Sequence, residues 1–499
     1  MPDLTTVLAG FGDVFTLTNI LFIVAGVVLG QFVGALPGIG PVMAIAVAIP
    51  FTITVDPLPA IAFLVGVMKG GLVGGAIPAV LLNTPGTPDA AATALDGFPL
   101  AQRGKPLKAM KMALYASITG DTFSDIVLIT VSAPLAIVAL KMGPVEVFAL
   151  MLFSFAIISG LVGASMAKGL VAAALGLLCA SVGLDPEHGT PRLYFGWFQL
   201  FDGLPLAPVA IGSLVMSEIL RRLSVIAGRT GAAVPTLSSP DKVDMRVSWA
   251  EYWSVRFTML RGALIGTALG ALPGIGSTAA AFMSYASARH TSKDPDSFGK
   301  GSLHGIAAAE AANSAVVGAN LIPLLTLGIP GSVGAALIIS AFMIHGIQPG
   351  PLLFEQQGRL VYGLFGAMML ANFTNLWVGL IGLRVWGQVV RAPETVIFAS
   401  AILLCFVGTA ITSGGLFGVS VMLAFAVVGY LMNAFGYSVV VFIIAFFLGE
   451  RFEISLSQTL VLVDGDPMRL WNYPIALALF ALAVLSAIVL GRRRATTGS

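Results

Sequence analysis

Apolar positions fill this chain in long stretches, and the polar positions between them are few and rich in glycine and proline. Runs such as Val145–Ala167, Leu170–Leu184, Leu376–Val389, Val396–Ala410 and Trp471–Leu490 are complete or partial matches to the roughly 20 apolar residues that cross a bilayer as a helix. The alternation of apolar and polar positions that marks a transmembrane barrel is absent. The pattern therefore predicts an all-α polytopic membrane protein with about 10–12 transmembrane helices. The first span, about Thr16–Val33, is expected to be retained, because Met1–Phe15 holds Asp3 and Asp13 but neither lysine nor arginine and so lacks the basic segment of a cleavable signal.

The breaks in the apolar pattern repeat. Gly34-Ala-Leu-Pro-Gly-Ile-Gly40 is written again as Gly270–Gly276, and the match continues with Ile77-Pro78 against Ile322-Pro323 and Pro85-Gly-Thr87 against Pro330-Gly-Ser332. The offset grows from 236 to 245 positions, so the second unit has gained nine residues, best placed in the loop-like His290–Gly301. The turns Gly104-Lys-Pro106 and Pro349-Gly-Pro351 close the two units. This divides the chain into a first half, 1–220, with a core at 34–106, a linker, 221–261, and a second half, 262–499, with a core at 270–351.

Loop charge sets an expected orientation, because short loops rich in lysine and arginine stay in the cytoplasm. No cation precedes the first unit, which leaves through Arg103, Lys105, Lys108 and Lys111. The second is entered through a linker carrying Arg221, Arg222, Arg229, Lys242, Arg246, Arg256 and Arg261, and left through a stretch with Arg359 offset by Glu355. The linker and the tail Arg492-Arg-Arg494 read as cytoplasmic, and the two units read as inverted repeats with broken, re-entrant helices. The competing reading is that the repeat records duplication alone and the glycines serve close helix packing.

Composition agrees with the pattern. The chain is 57% hydrophobic and 10% charged, against roughly 25% charged in soluble proteins, and its mean hydropathy is +0.95. A net charge of +2 spread over short loops gives no nucleic-acid footprint. Cys179 and Cys405 both lie in apolar runs and imply no disulfide framework.

Each half holds two breaks, Pro37–Gly40 and Asn83–Pro88 in the first, Pro273–Gly276 and Gly328–Ser332 in the second. A helix that starts at such a break turns free N–H groups and a positive dipole end toward a cavity, where a carboxylate binds without a paired lysine. The carbonyls on the other side of the break suit Na⁺. Candidate substrate contacts are Lys69, Asn83, Thr84, Pro85, Gly86 and Thr87 in the first half, and Asn313, Asn320, Pro330, Gly331 and Ser332 in the second. Candidate ion-coupling positions are Gly38, Gly40, Gly274, Gly276 and Glu310, with Na⁺ or H⁺ as the ion and no cofactor or other metal.

Structural readings stand beside these. Thr87 and Ser332 suit helix capping, Lys69 suits pairing with an acid or snorkelling, and Glu310 suits a helix-packing hydrogen bond. Asp121 and Asp125, one helical turn apart, form either a structural pair or a proton relay. Asp89 and Asp96 cap the following helix or hold the loop to Arg103, and His304 and His345 read as loop or interface residues.

No Gly-x-x-x-x-Gly-Lys-Ser/Thr phosphate loop is present, so an ion gradient is the expected energy source. An intramembrane enzyme is the rival class. It finds neither a His-Glu-x-x-His motif nor a Gly-x-Gly-Asp motif, and Gly163-Ala-Ser-Met166 matches a serine elbow poorly. A passive anion channel is the other rival.

Gly34–Gly40, the run Asn83–Pro99 with Gly104-Lys-Pro106, Glu310-Ala-Ala-Asn313, Leu325–Ser332 and His345–Pro351 together closely resemble the large membrane subunit of tripartite tricarboxylate transporters, the TctA family. The resemblance runs from about residue 15 to residue 485, with Ser314 standing where the family often has a second asparagine. It implies a permease in the bacterial inner membrane that works with a small four-helix membrane subunit and a periplasmic solute-binding protein. It also implies import of an organic carboxylate with Na⁺ or H⁺.

Overall fold

The computed structural model describes residues 3–36, 40–162, 165–226, 245–273, 276–389 and 394–495. Gly38 and Gly274, two of the expected ion-coupling glycines, and residues 227–244 of the linker lie outside the described residues. The described chain is helical apart from one two-residue antiparallel ladder, Gly183–Leu184 against Pro191–Arg192.

Two sets of five helices follow the same order of lengths. The first set is Leu17–Gly34, Gly40–Thr52, Pro57–Leu82, Ala90–Gln102 and Pro106–Ala139; the second is Arg256–Gly270, Gly276–His290, Leu303–Leu327, Val333–Ile344 and Gly358–Val389. Six described helices are long and apolar enough to cross a membrane, and six more apolar helices are shorter. The short ones follow from the Gly/Pro breaks: 13 residues, as in Gly40–Thr52, reach about 20 Å against a hydrocarbon core of about 30 Å.

Close packing inside each set rests on small residues. A methyl group on Gly26, Gly30 or Gly34 would collide with the carbonyl oxygens of Phe63, Val67 or Gly71, so the entry helix runs parallel to Pro57–Leu82 with their backbones in contact. The second set repeats the device: Gly262, Gly266 and Gly270 face Ala308, Ala312 and Val316. In a membrane, where apolar burial gives no advantage over lipid, such spacing lets helices associate through dispersion contact. The two long helices this buries, Pro57–Leu82 and Leu303–Leu327, are enclosed along almost their whole length, as expected of helices that are apolar on every face.

Contacts between the sets fix the helix directions. Pro106–Ala139 runs parallel to Leu303–Leu327, through Ser117 with Glu310, Gly120 with Ala311 and Asp125 with Gly318. It runs antiparallel to Gly358–Val389, through Asp125 with Asn372 and Leu114 with Gly379. Gly358–Val389 in turn runs parallel to Pro57–Leu82, through Leu58 with Gly363 and Lys69 with Asn372. The equivalent helices Pro57–Leu82 and Leu303–Leu327 therefore point in opposite directions.

Helices outside the two sets flank this centre. Pro474–Ala495 packs on Pro144–Val162, and Val439–Val463 packs on Met166–Ala180. Leu206–Ala210 continues through one π-helical turn, Ile211–Met216, into Ser217–Ile226.

Candidate functional site

A cavity of about 1170 Å³ lies between the halves and draws its walls from both. Four helix starts reach it: Gly40, Asp89 ahead of Ala90–Gln102, Gly276, and Ser332 ahead of Val333–Ile344. Each helix start leaves N–H groups without intrahelical partners and carries the positive end of a dipole. The walls thus present four positive dipole ends, although the lining residues include no lysine and include the acids Asp89 and Glu218. Arg221 stands at the rim, its side chain half exposed and paired with Glu218 at 2.6 Å.

The local geometry follows from the repeated breaks. Gly40 (φ 57°) and Gly276 (φ 70°) begin their helices in the left-handed region, which glycine enters without steric cost. Asn83 (φ 54°) and Gly328 (φ 69°) occupy equivalent left-handed positions at the ends of the two long helices. Each end closes in the same way, with Thr84 N donating to the Pro78 carbonyl at 3.4 Å and Ile329 N to the Pro323 carbonyl at 3.2 Å.

Of the expected substrate contacts, Pro85, Gly86, Thr87, Asn320, Gly331 and Ser332 line this cavity, as do the ion-coupling glycines Gly40 and Gly276. Ser332 Oγ also accepts from Ala335 N at 3.2 Å, so the hydroxyl caps its helix as well as facing the space. Asn313 lies behind the wall, fully buried, and both of its amide atoms lack a hydrogen-bond partner. Pro330 is buried beside Gly331 and is not a lining residue.

Three more of the expected substrate contacts lie outside the cavity lining. Asn83 and Thr84 are exposed and lie outside the lining; Asn83 ends a helix, and Thr84 Oγ1 donates to the Leu82 carbonyl at 3.2 Å. The Asn83 backbone does what Gly328 does, since asparagine tolerates the left-handed region better than most residues with a side chain. Lys69 is also away from the cavity. It is fully buried and donates to Asp125 at 2.7 Å, Asn372 at 2.8 Å and Asp121 at 3.4 Å. Opposite charges one helix away pair with the lysine. Asn375 and Gln31 extend this buried polar seam toward Trp386.

Glu310 stands apart from the cavity too, accepting from Ser117 at 2.7 Å and from Thr93. Asp96 holds a loop, but not at Arg103: it accepts from Gly301 N at 2.8 Å, Ser302 N at 2.7 Å and the Tyr285 hydroxyl at 2.9 Å. His304 meets Thr258 at 2.8 Å between helices, as an interface residue does.

The acid that sequence reasoning undervalued is Asp89. It occupies the N-cap position of Ala90–Gln102 without making a side-chain cap bond, and it lines the cavity. Thr87, Asn313 and Ser277 stand beside it, yet Asp89 Oδ2 and Thr87 Oγ1 form no well-aligned hydrogen bond. Ser277 and Thr278 were also missed. The repeat offset was the signal that could have found them, since they follow Gly276 as Pro41 and Val42 follow Gly40. Among the described residues no group of three histidine, cysteine or acidic side chains is arranged to hold a metal ion.

A family model described as tripartite tricarboxylate transporter TctA family matches residues 20–444. An Agrobacterium vitis protein described as an uncharacterized 52.8 kDa protein in the TAR-I ttuC′ 3′ region is 32% identical over 490 residues, covering 98% of this chain and 96% of that protein. A second protein from the same organism, described as uncharacterized in the TAR-II ttuC′ 3′ region, is 31% identical over 224 residues, covering 45% of this chain and 93% of that protein. No solved structure matches.

Proposed function

The chain belongs to the tripartite tricarboxylate transporter TctA family, as a membrane subunit of those transporters, and from that premise we propose that its central cavity carries an organic carboxylate through the bacterial inner membrane. The observation that carries the reading is the meeting of four helix starts, two from each half, on one cavity with hydroxyl and amide groups in its walls. Backbone N–H groups in such positions bind carboxylates by charge-assisted hydrogen bonds and need no fixed cation. A site that holds its anion by helix ends, with its one lining arginine paired to Glu218, also releases that anion readily on the far side.

The two halves act as inverted repeats about this site, joined by a cytoplasmic linker at 221–261. The opposite directions of Pro57–Leu82 and Leu303–Leu327 support the inversion, and so does the clustering of Lys108, Lys111, Arg246 and Arg384 at one end of the molecule. Exchange between two symmetry-related conformations then exposes the cavity to each side in turn. A periplasmic solute-binding protein delivers the carboxylate, a small four-helix membrane subunit completes the complex, and a Na⁺ or H⁺ gradient drives import.

Thr87→Val and Ser332→Ala test the site in the reconstituted complex, with uptake of radiolabelled carboxylate as the readout. Each removes a hydroxyl from the wall, and a hydrogen bond to a charged group is worth about 1.5–3 kcal/mol, so uptake at low substrate falls roughly tenfold or more. Unchanged uptake in both variants would sink the assignment.

A further inference from the structure

Asp89 poses a problem for an anion site, because it sets a carboxyl group in the same wall that is to receive a carboxylate. The residue is 4% exposed and Thr87 2% exposed, both line the cavity, and each has a buried side-chain oxygen with no hydrogen-bond partner. A buried charge without a partner is costly. Lys69 is paired with Asp121 and Asp125, and Arg221, at the rim of the cavity, with Glu218.

Asp89 has two hydroxyls and an amide beside it. The Thr87 and Ser277 hydroxyls and the Asn313 amide stand next to the carboxyl group, and Asn313 is fully buried with both its amide nitrogen and its carbonyl oxygen unpartnered. One carboxylate with hydroxyl and amide oxygens at a helix break is a hard-ligand set with a single negative charge, which matches a monovalent cation better than a divalent one.

We infer that Asp89, with Thr87, Ser277 and Asn313, holds the coupling sodium ion. This rests on the transporter reading above and gives the driving ion a place. The bound ion cancels the charge of Asp89, so the four helix starts attract the substrate carboxylate only once sodium is in the wall; the coupling of the two fluxes follows from that electrostatic order. The site is single, because the second half has Gly334 at the position equivalent to Asp89, while Ser332 is equivalent to Thr87. Two structurally related halves therefore divide the work: both supply helix starts for the anion, and one supplies the cation site.

The test uses the full-length purified protein with no carboxylate present, comparing thermal unfolding in NaCl with unfolding in choline chloride at equal ionic strength. Binding to the folded state alone raises the unfolding temperature by mass action. The wild type is expected to unfold a few degrees higher in sodium, and Asp296→Asn, an exposed loop acid, to keep that shift. Asp89→Asn is expected to lose it. Should Asp89→Asn fail to fold, Thr87→Val and Ser277→Ala carry the same expectation as a reduced shift. A full sodium shift in Asp89→Asn, or in both hydroxyl variants, overturns the inference. A wild type that responds to pH and not to sodium overturns it as well. Because no substrate enters the measurement, failure here leaves carboxylate transport standing, and failure of carboxylate uptake leaves the sodium site standing.

Discussion

Arg359 donates through Nε and Nη2 to both carboxylate oxygens of Asp13, at 2.6 and 2.7 Å. Asp13 precedes the entry helix of the first half, and Arg359 opens the last long helix of the second. At the other end of the molecule Lys108, on the exit helix of the first half, donates to Glu251 at 2.8 Å just before the second half begins. The entrance of each half is therefore pinned to the exit of the other.

If these two ends lie on opposite faces of the membrane, single cysteines at Lys105 and Gln356 label from opposite sides. The measurement uses a membrane-impermeant thiol reagent on right-side-out and inverted vesicles, with Cys179 and Cys405 replaced by serine. Labelling of both positions from one side would refute the inverted arrangement.

The Asp13 pair also has a pH signature. Its hydrogen bonds from Arg359 hold the Asp13 carboxyl below its ordinary value. A depressed acid contributes stability that is complete above the ordinary aspartate value of about 3.9 and fades as pH falls through the lower folded value. Asp13→Asn should therefore narrow its stability difference from the wild type only in strongly acidic buffer, and be indifferent between pH 6 and 8. A difference that instead changes across neutral pH would show that another group is titrating.

Lys69→Met is expected to lose folded protein before it loses affinity. Removing one member of a buried ion pair leaves uncompensated charge, at a cost of about 3–5 kcal/mol, and here Asp121 and Asp125 would both be stranded. Adding Asp125→Asn should recover part of the yield and thermal stability. A substrate-binding lysine would behave otherwise, with stability kept and KM raised.

Asn83 and Ser332 should part company. Asn83→Gly keeps the left-handed helix end and leaves uptake near wild type, whereas Asn83→Ala costs about 1 kcal/mol in backbone strain with substrate affinity unchanged. Ser332→Ala loses both a cap, worth roughly 0.5–2 kcal/mol, and a cavity hydroxyl, so stability and affinity fall together. Unfolding temperature and concentration-dependent uptake, measured on the same preparations, separate the cases.

Gly30→Ala and Gly266→Ala occupy equivalent positions, and each new methyl would collide with a carbonyl oxygen, of Val67 and Ala312 respectively. Overpacking of this kind costs about 1–3 kcal/mol, visible as lower unfolding temperatures for both. Gly12→Ala, with open space around it, is the control and should be neutral or slightly stabilising.

The sequence by itself determined the helical membrane class, the twofold repetition and the positions of the breaks, because apolar run length, glycine and proline act locally and need no partner to be read. It also gave an expected orientation for the charged ends, since charges at the ends of spans are sorted by the membrane and not by packing. Glycine spacing on the entry helices was legible for the same reason: a residue without a side chain announces close approach whatever it approaches.

Only the tertiary structure decided which polar residues serve the cavity. Lys69 and Asp121 are separated by 52 positions in the chain yet form one buried ion pair, so the lysine that looked like a substrate contact was already neutralised. Asn83 looked chemical, yet it is exposed outside the lining of a cavity that Thr87 lines, and its backbone closes a helix in the left-handed region. Asp89 looked like an ordinary helix cap, and it became the central acid of the site because its carboxyl group leaves the cap unused and meets Asn313 and Ser277 from the other half of the chain. A side chain's role in a cavity depends on where two distant helix ends converge, and that convergence is a property of the packed whole.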